Sequence, residues 1–306
     1  MAALSHTEHD GNHSMELHQI KTFLAVAREQ NLSRAAEKLY ISQPALSVHL
    51  KNLEAELGIR LFDRTSKGMA LTRAGEALKL QAQHILESVD GLRREAQNLT
   101  GDITGQVRIG LHTDPVFLRT MEFCHHLRAE HPRLSPCLTH GVSRGLLDKT
   151  ASGELDATFF FGDNRHESLE TLELAELDMY FVVPAVWGDD LRDKEWEDLA
   201  DVPWIWTPPE CPFHHLSGDR LREHGREPGQ VIIADNEQAI ASLVVGGAGM
   251  SIMREDEARF YEESGQVAIW DKDKVRMRLC FAHPIKRNGD PLIQAVVDAV
   301  RAVWQV

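Results

Sequence analysis

Gln43, Ser47 and Lys51, in the stretch ISQPALSVHLKNLEAEL (residues 41–57), stand four residues apart, so on a helix they share one face. A glutamine amide can address base edges, a serine hydroxyl can bond to a base or a phosphate, and a lysine ammonium can neutralise phosphate. Leu46, Leu50, Leu53 and Leu57 form an apolar stripe on the same segment. Ser42 stands where it can cap the helix, Pro44 is harmless in the first turn, and Gly58 closes it. Farther along, LFDRTSKGMALTRAG sets Arg64, Lys67 and Arg73 around a glycine turn, which suits a wing lying over phosphates. A different chemistry is offered by PPECPFHH. The spacing of Cys211, His214 and His215 allows a metal site or a tuned thiol, and Cys211 with a histidine base would suit covalent catalysis. No second cysteine is near, so a thiol switch there needs Cys280 or another distant partner. VVGGAGMS lacks the lysine of a phosphate loop and reads as a tight strand entry.

The elements that must position these groups fall into three segments. Residues 15–74 predict packed short helices, with Phe23, Leu24 and Ala27 and then Leu32, Ala35, Ala36 and Leu39 recurring at helical spacing. Ser33 is the expected N-cap of the second helix, with Glu37 close behind. Two short helices joined by a tight turn, the second opening on small polar residues, describe a helix-turn-helix built for a major groove about 12 Å wide. Over 75–103, Leu78, Ala82, Ile85, Val89, Leu92, Ala96, Leu99 and Ile103 follow a heptad rhythm that asks for a partner helix. The alternative is a long helix lying on its own domain. Thr100-Gly101 and Thr104-Gly105 then make a hinge. From Val107 onward strands alternate with helices, the latter expected over 115–131, 143–153, 236–245 and 291–304. That alternation predicts α/β organisation with largely parallel sheets and ligands where strands end and helices begin.

At 306 residues, 42% hydrophobic and 26% charged, the chain reads as two or three ordinary globular domains. Cys124, Cys137, Cys211 and Cys280 are too scattered for a disulfide scaffold and point to a reducing compartment. The opening MAALSHTEHDGNHS has no apolar core and is not a secretory signal; residues 1–14 read as an extension or an expression remnant, since Met15 is a second possible start. The longest low-polarity run, 240–253, is glycine-broken and too short for a bilayer core of ~30 Å. A cytoplasmic protein with no membrane partner is expected. The net charge of -14 is uneven: residues 15–75 hold nine Lys and Arg against six Asp and Glu, a net of +3. Such a basic head on an acidic body can still be oriented toward a polyanion.

The run FLAVAREQNLSRAAEKLYISQPALSVHLKNLEAELGIRLFDRTSKGMALTRAGEAL closely resembles the amino-terminal domain of LysR-type transcriptional regulators. The Ala-Ala pair, SQPALS, LE, LG, LFDR and LTRAG stand in order and at the family's spacing over 17–78. His49, where glutamine is commoner, and Val48, where a polar or basic residue is frequent, are departures that leave operator preference open. The resemblance implies an α+β multidomain chain: a winged helix-turn-helix at 15–74, a dimerising linker helix at 75–103, and at 107–306 a two-lobed α/β effector domain similar to periplasmic solute-binding proteins. The lobes would be 107–175 with 281–306, and 176–280. It implies double-stranded operator DNA as partner, contacted through Ser33, Gln43, Pro44, Ser47 and Arg64. It also implies a homodimer or homotetramer, RNA polymerase as a partner of any activator, and no cofactor. Leu78, Ile85, Val89, Leu92 and Leu99 would pair the linkers. A small effector, an anion or carboxylate, would lie between the lobes against His112, Thr113, Ser143, Thr207 and Asn236, each of which could equally be an ordinary cap or turn, with Arg144 as an optional partner. A thiol- or metal-responsive regulator using Cys211, a Cys-His enzyme and a free-standing solute-binding protein are the competing readings. The last two explain neither the recognition helix nor the heptad.

Overall fold

A computed structural model describes residues 15–65, 68–98 and 103–306; residues 1–14, Lys67 and Leu99 lie outside this range. The chain divides into two compact units between Arg93 and Arg94. The first contains α1 (Leu17–Glu29), α2 (Leu32–Lys38), α3 (Gln43–Leu57), a hairpin of β1 (Phe62–Thr65) and β2 (Gly68–Leu71), and most of α4 (Arg73–Asn98), whose last turn crosses the boundary.

Its family-like motifs are devices of close approach. Ala35 and Ala36 are buried, where larger side chains would hold α2 away from its neighbours. Ser42 accepts from the Ala45 N–H at 3.3 Å, and Gly58 takes the left-handed conformation at φ 67° that closes α3. The Glu54 carboxylate accepts from the N–H groups of Leu61 at 2.7 Å and Phe62 at 3.3 Å, tying the start of the hairpin to α3. Phe62 packs edge-on against Phe23, with centroids 5.6 Å apart. Gly75, the last residue of LTRAG, is required by space: a Cβ there would sit 2.2 Å from the Leu61 carbonyl oxygen. Gly75→Ala should therefore destabilise this unit by about 1–3 kcal/mol through forced backbone displacement. Denaturant unfolding followed by circular dichroism checks this, and an unchanged midpoint would refute it.

Two expectations are corrected here. The N-cap of α2 is Asn31, whose side chain accepts from the Ser33 and Arg34 N–H groups, while Ser33 is already inside the helix. The heptad on α4 is also divided. Ala82 is buried in the core of its own unit, and Leu78 and Leu86 lean on that core. Ile85 and Leu92 are exposed, the latter to 72%, with Val89 half-buried. The first turns of α4 thus spend their apolar face within the unit.

The second unit comprises β3 (Gly105–Leu111), α5 (Thr120–Glu130), β4 (Leu134–His140), α6 (Ser143–Ala151), β5 (Ala157–Phe161), β6 (Leu169–Pro184), α7 (Gly188–Leu191) and α8 (Trp196–Leu199). There follow β7 (Pro203–Trp206), α9 (Pro212–Glu223), β8 (Gln230–Ile233), α10 (Glu237–Val245), β9 (Ser251–Arg254), α11 (Glu255–Glu263), β10 (Val267–Pro284) and α12 (Pro291–Trp304). The main sheet has the order β4-β3-β5-β10-β6-β9. Only β4-β3-β5 is parallel; β10 runs antiparallel to both β5 and β6, and β9 antiparallel to β6. The expected largely parallel arrangement fails because β6 and β10 are long strands shared by both lobes, paired from Leu169 with Pro284 to Pro184 with Val267. Register shifts at Trp270/Lys274 and at Leu279/Cys280 interrupt that pairing. The parallel pair β7-β8 joins the second lobe through a bridge from Trp204 to Met250. The helix expected over 115–131 begins only at Thr120, because Pro115–Arg119 form a turn ending at φ 52°. Gly249 makes the tight strand entry, since a Cβ there would meet the Pro203 carbonyl at 2.7 Å. Among the described residues no helix is long and apolar enough to cross a membrane.

Candidate nucleic-acid interface and effector cavities

Leu46, Leu50 and Leu53 are buried on one side of α3, and successive helical residues turn by about 100°. The opposite side therefore presents Pro44, Val48 and Lys51, all exposed. Gln43 is exposed at the helix start, and its Oε1 accepts from the Ser33 hydroxyl at 3.2 Å, leaving the amide NH2 free of that bond. Ser47 is only half-exposed, on the flank. Arg64 in β1 and Arg73 at the start of α4 are exposed. His49 points inward instead: its ring lies 4.3 Å from that of His18, and its Nδ1 is 3.3 Å from the buried Thr22 hydroxyl. Burial and the neighbouring His18 lower its pKa. Of the two departures noted in the sequence, His49 thus serves α1–α3 contact, whereas Val48, 53% exposed, stands at the middle of the outward face. Helical phase relative to the leucine stripe was the signal that could have found it.

Two cavities flank Cys211 and the α9 start in the second unit. The first, about 690 Å³, is lined by His112, Thr207 and Asn236 and by the carboxylates of Asp114, Asp235, Glu237, Asp256 and Glu257. Arg254, 4% exposed, crosses beside it. Its NH1 donates to the Thr113 hydroxyl at 2.6 Å and to Glu237 at 2.8 Å, while Nε and NH2 grip Asp256 at 3.0 and 3.2 Å. The guanidinium also lies 4.1 Å over the Phe117 ring. Burial opposes its charge, but Glu237 and Asp256 outweigh that and raise its pKa. Burial, with Glu237 beside it, pushes Glu257 up to about 7. His112 is sandwiched edge-on between Phe161 and Phe213, with Nδ1 donating to the Gly141 carbonyl at 3.1 Å. Burial lowers its pKa to about 4, so it is neutral at pH 7.

The second cavity, about 590 Å³, holds Ser143 at the start of α6 with Arg144, Arg165, Arg276 and Arg278. Arg276 pairs with Glu176, and Arg278 with Asp163 and Glu173. The Ser143 hydroxyl accepts from the Phe161 N–H at 3.0 Å.

The cysteine–histidine cluster does not converge. Cys211 is buried with its sulfur 3.9 Å from His112 Nε2, and burial raises its pKa, so it stays a thiol. His214 Nδ1 donates to the Thr207 carbonyl at 2.6 Å, and His215 is exposed at the second cavity. Burial pushes Cys280 up to about 11. Among the described residues no group of three or more His, Cys, Asp or Glu could hold a metal ion.

Residues 17–76 match the bacterial regulatory helix-turn-helix domain of the lysR family, and residues 100–305 match the LysR substrate-binding domain. The chain belongs to the LysR family of transcriptional regulators. It is thus a DNA-binding regulator with an effector-binding domain, and the Cys-His enzyme reading falls away. Among LysR-family relatives, the transcriptional regulator TcbR of Pseudomonas sp. (strain P51) is 31% identical over 299 residues, 94% of this chain and 98% of its own. The RuBisCO operon transcriptional regulator of Acidithiobacillus ferrooxidans is 31% identical over 261 residues, 83% and 82% of the two chains. In fold, the chain is similar to a full-length OxyR variant from Pseudomonas aeruginosa, with TM-score 0.68 and 24% identity over 95% of this chain and 96% of that one. It is also similar to full-length CbnR complexed with its target DNA, with TM-score 0.64 and 23% identity over 94% and 99%.

Against this family background the five expected effector residues separate. His112, Thr207 and Asn236 line the first cavity and Ser143 the second. Thr113 lines neither: its hydroxyl is consumed between Arg254 and Glu237, to which it donates at 2.5 Å. Asn236 spends its side-chain oxygen capping α10 at the Ala239 N–H, 2.7 Å away. Arg254, Glu237 and Glu257 had not been anticipated, because only the folded chain gathers them.

Proposed function

We propose that this regulator reads double-stranded operator DNA in the cytoplasm through α3, as a homodimer or a tetramer of paired dimers. The outward face of α3 carries the proposal. Gln43, Val48 and Ser47 address base edges; Lys51 neutralises phosphate beside them, and Ser33, Pro44, Arg64, Lys67 and Arg73 steady the backbone. An exposed valine there contacts a thymine methyl group, the one apolar feature of the major-groove edge. Ile85, Val89 and Leu92 offer a pairing seam for a second copy of α4, which doubles a weakly basic head. We further propose that a small anion or carboxylate, held by Arg144, Arg165 and the α6 N-terminus at Ser143, shifts lobe closure and through it the DNA contacts.

Duplexes selected from a random pool by the full-length protein test the interface. Gln43→Ala and Ser47→Ala should weaken the selected site by about 1–3 kcal/mol while sparing non-specific DNA. Replacing one thymine by deoxyuridine should weaken wild type but not Val48→Ala, and Lys51→Gln should reduce the slope of log affinity against log salt by about 1. Unchanged footprints and affinities in these variants would sink the assignment. For the effector, a thermal-shift panel of carboxylates and inorganic anions should yield one ligand that stabilises by about 2.7 kcal/mol at 100 times its Kd, abolished by Arg144→Gln. A hit indifferent to that change would move the anion elsewhere.

A further inference from the structure

We propose that the carboxylate-lined cavity is a second ligand site that takes an extended organic cation, a di- or triamine without a carboxylate. Its five acidic side chains come from the loop after β3 (Asp114), the approach to α10 (Asp235), α10 itself (Glu237) and the start of α11 (Asp256, Glu257). Arg254 is the single Arg or Lys among its described lining residues, and all three of its nitrogens are committed to Thr113, Glu237 and Asp256. Among the described residues Asp114, Asp235 and Glu257 form no salt bridge, which leaves the cavity with unneutralised negative charge.

A second observation points to a ligand. Thr207 lines the same cavity and is 9% exposed, and its buried hydroxyl has no hydrogen-bond partner by geometry. The polar group beside it is the Cys211 thiol, a weak partner at best. Buried hydroxyls are ordinarily satisfied, so this one is available to an amine N–H.

The shape of the charge selects the ligand. The carboxylates are dispersed: no three acidic or histidine side chains among the described residues could hold one metal ion. Several ammonium groups along one chain fit that spacing better than a point charge. Ile240, Met253 and Phe260 add apolar wall for the methylenes between them. An amino acid fits poorly, because no uncommitted cation remains to receive its carboxylate. An amine pairing with Glu237 and Asp256 competes for the groups that hold Arg254, so occupancy acts on the contact between the lobes.

Isothermal titration of the full-length protein with spermidine and putrescine, without DNA, tests the site separately from operator recognition. We expect saturable binding by the amines, absent with magnesium at equal ionic strength and weaker with lysine. Glu257→Gln and Asp235→Asn should each weaken spermidine about tenfold, and Thr207→Val, which preserves shape, by a smaller factor. Wild-type affinity should rise from pH 6 to pH 8 as Glu257 ionises among Asp114, Glu237, Asp256, Arg254 and His140, His112 staying neutral throughout. Glu257→Gln should flatten that rise. Absence of binding, equal binding by magnesium or lysine, or affinities unchanged in both carboxylate variants would overturn the proposal.

Discussion

Arg254→Met should lower the stability of the effector domain by about 3 kcal/mol, the low end of what breaking a buried ion pair costs. The side chain joins elements far apart in sequence: Thr113 and Phe117 from the segment after β3, Glu237 from α10 and Asp256 from α11. Methionine refills the volume but leaves Glu237, 26% exposed in its side chain, facing Thr113 without a cation. The loss exceeds a surface ion pair because removing the cation strands a partly buried carboxylate. Arg254→Lys should rescue little, since one ammonium cannot grip Asp256 through two nitrogens, reach Glu237 and Thr113, and lie flat on Phe117. Adding Glu237→Gln to Arg254→Met should recover part of the loss, and the double-mutant cycle reads the coupling directly. The measurement is denaturant unfolding followed by tryptophan fluorescence. All six tryptophans, Trp187 to Trp304, lie in the effector domain, so the signal is specific to it. A loss below ~0.5 kcal/mol would show that Arg254 does not latch the lobes.

The same fluorescence signal should show acid destabilisation governed by His112. Its folded pKa is about 4 against the ordinary 6.5 of a histidine, because burial between two phenylalanines disfavours the imidazolium. A depressed histidine pKa means that the unfolded chain binds the extra proton. The contribution is therefore fully present above pH 6.5 and is lost as pH falls from 6.5 toward 4. About 1.4 kcal/mol per pH unit over that window amounts to roughly 3 kcal/mol. His112→Asn, which can keep a donor toward the Gly141 carbonyl, should remove most of this slope. An equally steep acid limb in that variant would assign it to other groups. His49 titrates in the same direction in the DNA-binding unit, where tryptophan fluorescence does not report.

The helix-turn-helix was legible from local chemistry alone. Ser42, Pro44, the leucine stripe and Gly58 act within one helix, so their spacing carries the whole message. The helix start at Asn31 rather than Ser33 was harder, because Asn, Ser and Thr all cap well and only backbone conformation decides among them. Periodicity marks an apolar stripe along α4 but does not say what covers it. Leu78 and Ala82 meet their own core, whereas Ile85 and Leu92 face outward.

What the sequence by itself determined was the class: a groove-reading head, a long linker helix and an α/β rear domain follow from residue type and period over a few turns or strands. An effector-binding role for that rear domain is implied only by the family resemblance. The tertiary structure alone decided which side chains meet. It turned His49 inward and Val48 outward, and it made β6 and β10 common to both lobes. It brought Arg254 onto Thr113 across 141 positions, and gathered the carboxylates around one cavity. The reason is physical: caps and stripes form within a few residues, but a cavity wall is assembled by long-range sheet pairing, whose register no local period encodes.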